Sequence, residues 1–137
     1  METMLNFSPA SSIIHDFDDE IKGEALFKII FGILKEWDLS QEELGDLVGR
    51  SPTTISEWKK NKYISISKKI TMTDYQLFEF IEFYKNLTNL FVSIKDRVAW
   101  LREASEGFGG KSPLQLIRED PRNLHNIRNI ICSLANP

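Results

Sequence analysis

Two short capped segments separated by one glycine constrain this chain more than any other feature. In the first, the Ser40 hydroxyl can accept from the amide of Glu43, and the Glu43 carboxylate can return to Ser40. Gly49 can end that helix because glycine tolerates a positive φ angle. Ser51 and Pro52 restart a helix at once, since proline suits the first helical position. The spacing predicts two short helices joined by a tight turn.

This arrangement is the sequence form of a helix-turn-helix, whose second helix lies in the major groove of DNA. Such a helix must bury one side, and Ile55 and Trp58, three residues apart, supply it. The outer side then carries Thr53, Ser56 and Glu57, which can hydrogen-bond to phosphates or base edges. Three cations that can pair with phosphates follow directly: Lys59, Lys60 and Lys62.

The charge distribution supports the same interpretation. Residues 50–69 carry six basic residues, among them Arg50, against Glu57 alone, a net charge of +5. Residues 1–49 carry three lysines against eleven acids, a net charge of −8, and residues 70–137 carry eight residues of each sign. A basic block in an otherwise acidic chain can be simply a solvated face. Here it coincides with the second helix and its exit, which favours DNA binding, and Arg50 is among the residues that we expect to contact DNA.

Residues 39–58 resemble the helix-turn-helix of the Cro/Xre repressor family across both helices and the turn. The resemblance implies DNA contact by five residues matched by position: Gln41, Thr53, Thr54, Ser56 and Glu57. Glu57 departs from the pattern, because a neutral or basic residue would suit the phosphates better. The alternative is a motif that serves only as a scaffold for folding or dimerisation.

Helical patterns continue along the rest of the chain, so the sequence predicts an all-α fold. Strand signals are weak, and residues 63–67 are interpreted as an extended linker. The further helices expected are about Ile21 to Trp37, Thr73 (capped with Gln76) to Phe91, Lys95 to Ala104, one after Ser112-Pro113, and one after Asp120-Pro121 with inner residues Leu124, Ile127, Ile131 and Leu134. We expect a poorly ordered arm over residues 1–20, a helix-turn-helix domain over 21–69 and a dimerisation and partner-binding domain over 70–137.

The expected helix from Thr73 to Phe91 has apolar residues around more than half of its circumference. In a chain of 137 residues such a helix is either deeply buried or part of a subunit interface. We expect a homodimer on this basis.

The segment after Trp100-Leu101 resembles the toxin-binding domain of Xre, MbcA and ParS antitoxins. That family places a Trp-Leu pair before a Gly-Gly-basic-Ser/Thr-Pro-Leu segment, and the match spans about residues 87–134. The resemblance implies a RES-type, NAD-consuming toxin as the partner, an operon repressed by the protein itself, and six toxin-binding residues: Phe108, Gly109, Gly110, Lys111, Ser112 and Pro113. Read without the family, the segment is an ordinary corner between two helices.

Nothing in the sequence supports catalysis, a cofactor or a metal site. His15, His125 and Cys132 lie too far apart in sequence to give metal-ligand spacing, and no glycine-rich phosphate loop follows a strand. One cysteine and the lack of a signal segment favour a cytoplasmic protein.

The sequence therefore predicts an antitoxin that also represses its own operon. The alternatives are a stand-alone dimeric repressor without a toxin and an interaction module whose helix-turn-helix does not bind DNA. An adjacent toxin gene would favour the first reading.

Overall fold

The computed structural model describes residues 19–66, 69 and 71–135, and the predicted all-α fold is confirmed there. The elements are α1 (Asp19–Glu36), α2 (Gln41–Val48), α3 (Pro52–Asn61), α4 (Met72–Leu90), α5 (Ile94–Arg102), a 3₁₀ turn (Glu106–Phe108), α6 (Pro113–Glu119) and α7 (Arg122–Ala135). The predicted arm lies outside the described residues, apart from Asp19 and Glu20, which belong to α1. None of the helices described is long and apolar enough to cross a bilayer.

The caps predicted around α2 and α3 are confirmed. Ser40 and Glu43 form both hydrogen bonds of the capping box, each 3.0 Å long. Gly49 ends α2 in the left-handed conformation with a φ of 69°. The hydroxyl of Ser51 accepts from the amide of Thr54 at 3.2 Å and so caps α3. The caps of both helices and the glycine between them therefore form as the sequence predicts.

The predicted start of α4 is wrong by two residues. Its cap is Thr71, whose hydroxyl accepts from the amide of Asp74 at 3.2 Å while the Asp74 carboxylate accepts from the Thr71 amide at 2.9 Å. Gln76, expected to complete a box with Thr73, instead donates to the backbone oxygen of Leu47 at 2.9 Å. The Gln76 side chain therefore binds the end of α2, whereas the local sequence pattern predicted that it would cap α4.

One hydrophobic core joins the two predicted domains. The rings of Phe80 and Phe83 in α4 lie edge-on to Trp37, at centroid distances of 5.9 and 5.7 Å. Helix α2 packs against α3 and also against α4 and α6. The predicted domain boundary at residue 69 therefore does not separate two cores, because one hydrophobic core includes residues from both sides of it.

A buried arginine fixes the corner between α4 and α5. The Arg97 side chain is 9% exposed, and its Nη1 lies 3.1 Å from Glu36 Oε2 at the end of α1. Its Nε and Nη2 donate to the backbone oxygens of Phe91 and Val92 at 2.8 and 2.7 Å. Tyr84 donates to the other Glu36 oxygen at 2.9 Å. Burial raises the pKa of Tyr84 most, and this carboxylate raises it further. One guanidinium thus links three helices.

The broad apolar surface of α4 is covered within a single chain. Its buried residues are Leu77, Phe78, Phe80, Ile81, Phe83 and Leu87, and α7 packs along it. Three of the four residues predicted on the inner side of α7 are buried, whereas Leu134, in the last turn, is 59% exposed. The breadth of the apolar surface of α4 therefore does not by itself require a second subunit, because α7 of the same chain covers it.

Candidate functional site

Helix α3 presents one face to solvent and one to the core. Ile55 and Trp58 are buried, as their spacing predicts. The outer face carries Thr53, Ser56 and Glu57, all exposed. Two hydroxyl groups and a carboxylate are therefore available on a helix whose inner side is fixed by packing, as base or phosphate recognition requires.

The three lysines at the end of α3 are exposed and continue this face. Lys59 and Lys60 lie in its last turn, and Lys62 follows its C-terminus. None of the three forms an ion pair with any residue that the structure describes. An unpaired ammonium group can neutralise a phosphate without first breaking an internal bond.

Arg50, the fourth cation expected to contact DNA, is held inside the protein. Its Nη1 donates to the backbone oxygen of Thr73 at 2.7 Å and its Nη2 lies 3.1 Å from Asp74 Oδ1. The guanidinium also lies 5.5 Å from the ring centroid of Trp58. Burial lowers the pKa of Arg50, and the Asp74 carboxylate opposes that change. Because Nη1 and Nη2 are both hydrogen-bonded and the side chain is only 12% exposed, Arg50 anchors the turn to α4.

The two remaining helix-turn-helix residues are less accessible. Gln41, the first residue of α2, is half-buried. Thr54 is also half-buried, and its hydroxyl lies 3.1 Å from the Ser51 hydroxyl that caps α3. Thr54 therefore contributes to the cap, whereas Thr53 and Ser56 face outward.

The second candidate site is the glycine turn between α5 and α6. Gly109 and Gly110 have φ angles of 68° and 81°, in the left-handed region that favours glycine. The amide of Gly110 donates to the Ser105 oxygen at 2.8 Å, which closes the turn. Phe108 lies edge-on to Trp100 at 6.1 Å, so the turn is attached to the core by an aromatic contact.

The residues after the glycines divide between structure and surface. Ser112 accepts from the Gln115 amide at 3.1 Å and caps α6, and Pro113 is buried. The Lys111 side chain is 43% exposed, and its Nζ lies 2.7 Å from Glu119, which lowers the pKa of that carboxyl. Of the six residues predicted to bind a toxin, the two glycines and Lys111 are the most available to a partner.

Two arginines that the sequence analysis did not select connect the candidate sites. Arg102 binds both oxygens of Glu43 at 3.0 and 3.1 Å, and Arg118 Nε lies 2.8 Å from Asp46 Oδ2. Partial burial is the largest single effect and raises the pKa of Glu43. The hydrogen bonds from Arg102 and the Ser40 amide, together with the charges of Arg102 and Arg118, outweigh it, so the net shift of this pKa is downward. A cavity of about 430 Å³ lies there, lined by Glu43, Asp46, Arg102, Ser112, Leu114, Gln115, Arg118 and Glu119.

No family model matches the chain, and no curated protein matches it. Among solved structures, the chain is similar to one in the crystal structure of the M. tuberculosis MbcT-MbcA toxin-antitoxin complex. The sequences are 18% identical, the TM-score is 0.50, and the match covers 79% of this chain and 94% of that one. At this level of identity the likeness is one of fold.

Proposed function

We propose that this protein is the antitoxin of a type II toxin-antitoxin system and that it represses its own operon. The observation that carries the proposal is the shared fold with a chain of a toxin-antitoxin complex, matched over 94% of that chain. The exposed outer face of α3 supports the DNA-binding part, and the glycine turn supports a partner-binding part. The role is one of binding, with no catalytic step.

The toxin that we propose as partner is of the RES type, which consumes NAD. This choice rests on the resemblance of the segment from Trp100 to Ile117 to the family that binds such toxins. Co-expression of the full-length protein with the product of the adjacent gene should give a complex that co-purifies. A folded protein that recovers no neighbouring product, while still repressing transcription, would favour the stand-alone repressor.

Replacing Lys59, Lys60 and Lys62 together with alanine should weaken DNA binding to every sequence. Each lost phosphate contact removes about 0.9 from the slope of log K against log salt, so the slope should fall by about 2 to 3. Fluorescence anisotropy with a duplex from upstream of the protein's own gene, at several salt concentrations, measures this slope.

The matched control for the lysine variant is Lys35→Ala, Lys85→Ala and Lys95→Ala together, since these three lysines are exposed and lie on α1, α4 and α5. This control should keep the wild-type slope. Both variants should still neutralise the toxin, because the affected residues lie outside the glycine turn. Equal DNA affinity for the triple variant and the wild type would show that α3 is not the DNA-binding helix.

We also propose that the protein acts as a homodimer, because helix-turn-helix repressors read two half-sites through a two-fold axis. Since α4 is largely covered within the chain, the exposed Met72 and Tyr75 are what it could add to an interface. Sedimentation velocity at micromolar concentration should show a dimer. A monomer that binds a palindromic site with no change in assembly would contradict this part of the proposal.

A further inference from the structure

A groove of about 360 Å³ lies between α1 and the C-terminal end of α3. Lys28 lines it from α1, and Asn61 and Lys62 line it from the end of α3. Phe27 and Tyr63 provide apolar ring surface, and Glu24 is the acidic residue in the lining. The groove is therefore continuous with the exposed lysine end of the proposed DNA-binding helix.

The backbone fixes the shape of this groove. Lys62 has a left-handed φ of 53°, a conformation that favours glycine, and its amide donates to the Trp58 oxygen at 2.8 Å. The next two residues attach the chain to α1. The Tyr63 ring occupies the space that a Cβ on Gly23 would need, and the Ile64 amide donates to the Gly23 oxygen at 3.1 Å. Lys62 is thus held in an uncommon conformation beside α1, as residues at binding sites often are.

We infer that this groove receives a phosphate of the DNA backbone, with Lys28 and Lys62 as its cations. Lys28 and Lys62 are both exposed, and neither forms an ion pair with a described residue. Asn61 can add a neutral hydrogen-bond donor. The inference rests on the DNA-binding role proposed above, and it extends the contact surface from α3 to α1, where no predicted site residue lies.

Glu24 allows a test of whether the ligand in the groove carries a negative or a positive charge. Its carboxylate should repel a phosphate in the groove and should attract a cationic partner. Glu24→Gln should therefore tighten binding if the occupant is DNA. It should leave DNA affinity unchanged if the groove takes a basic segment of another protein.

The test compares Lys28→Ala with Lys35→Ala, an equal loss of charge on the same helix at an exposed position outside the groove. Anisotropy is measured with the upstream duplex and with an unrelated duplex of equal length. Lys28→Ala should weaken binding to both and reduce the salt slope by about 0.9, whereas Lys35→Ala should keep the wild-type slope. Circular dichroism checks that both variants are folded.

Unchanged DNA affinity of Glu24→Gln would overturn the inference, and so would any of three results with the duplexes. If Lys28→Ala and Lys35→Ala have the same slope as the wild type, no phosphate contacts Lys28. If both reduce the slope equally, the effect is one of overall charge. If the wild-type protein binds neither duplex, the DNA-binding proposal itself is wrong, and this result is distinguishable from the first two because it appears without any substitution.

Discussion

Replacing Arg97 with alanine should lower the free energy of unfolding by about 3–5 kcal/mol, because it leaves the largely buried carboxylate of Glu36 without its cation. The Arg97 and Glu36 side chains are 9% and 20% exposed, so little water can replace the lost cation. The backbone oxygens of Phe91 and Val92 lose their donors in the same step. Thermal unfolding should shift downward by about 10 °C or more in a chain of this size. Urea unfolding followed by circular dichroism gives the free energy directly.

The control for this measurement is Arg122→Ala. Arg122 also forms a close ion pair, with Asp120 at 2.9 Å, but its side chain is 90% exposed and the pair lies within one turn. Exposed pairs contribute about 0–1 kcal/mol, so this variant should be nearly as stable as the wild type. Arg97→Lys should not restore stability, because an ammonium group cannot reproduce the three directed bonds of the guanidinium. Equal losses in the free energy of unfolding for Arg97→Ala and Arg122→Ala would contradict the stabilising role that we assign to Arg97.

Lys111→Glu should abolish protection against the proposed toxin. Lys111 is the charged side chain of the glycine turn. A glutamate at this position would repel Glu119, and it would also repel any acidic group of a partner that pairs with Lys111 in the wild-type complex. A central interface residue can contribute about 2–4 kcal/mol, so we expect toxin binding to weaken by about 100-fold. Growth of cells that co-express the toxin, together with their NAD content, measures the loss.

Lys85→Glu is the matched charge reversal, at an exposed position of α4 that lines neither the 430 Å³ cavity nor the groove beside α3. It should protect cells as the wild type does. Lys111→Glu should lose no more than about 1 kcal/mol of stability, because its ion pair with Glu119 is exposed. Its DNA binding should be unchanged, since the side chain is away from α3. Full protection by a stable Lys111→Glu protein would remove the glycine turn from the proposed toxin interface.

The helices around the turn could be predicted because their signals are local. A cap joins residues three apart, as in Ser40 with Glu43 and Ser51 with Thr54. The buried face of α3 follows in the same way from the spacing of Ile55 and Trp58. The positive φ angles at Gly49, Gly109 and Gly110 could also be expected, because glycine adopts this conformation without steric cost. The start of α4 was predicted wrongly where the same short-range pattern, at Thr73 and Gln76, competed with contacts made by α2.

Which charged residues remain available to a partner was decided by the tertiary structure. Arg50 finds Asp74 at a separation of 24 residues, Arg102 finds Glu43 at 59, and Arg118 finds Asp46 at 72. No local pattern encodes such pairs, because they form only when packing brings distant helices together. By itself the sequence determined the all-helical fold, the capped turn and the direction in which α3 faces. Packing then neutralised Arg50 inside the protein, left Lys59, Lys60 and Lys62 exposed, and placed Lys28 beside the end of α3.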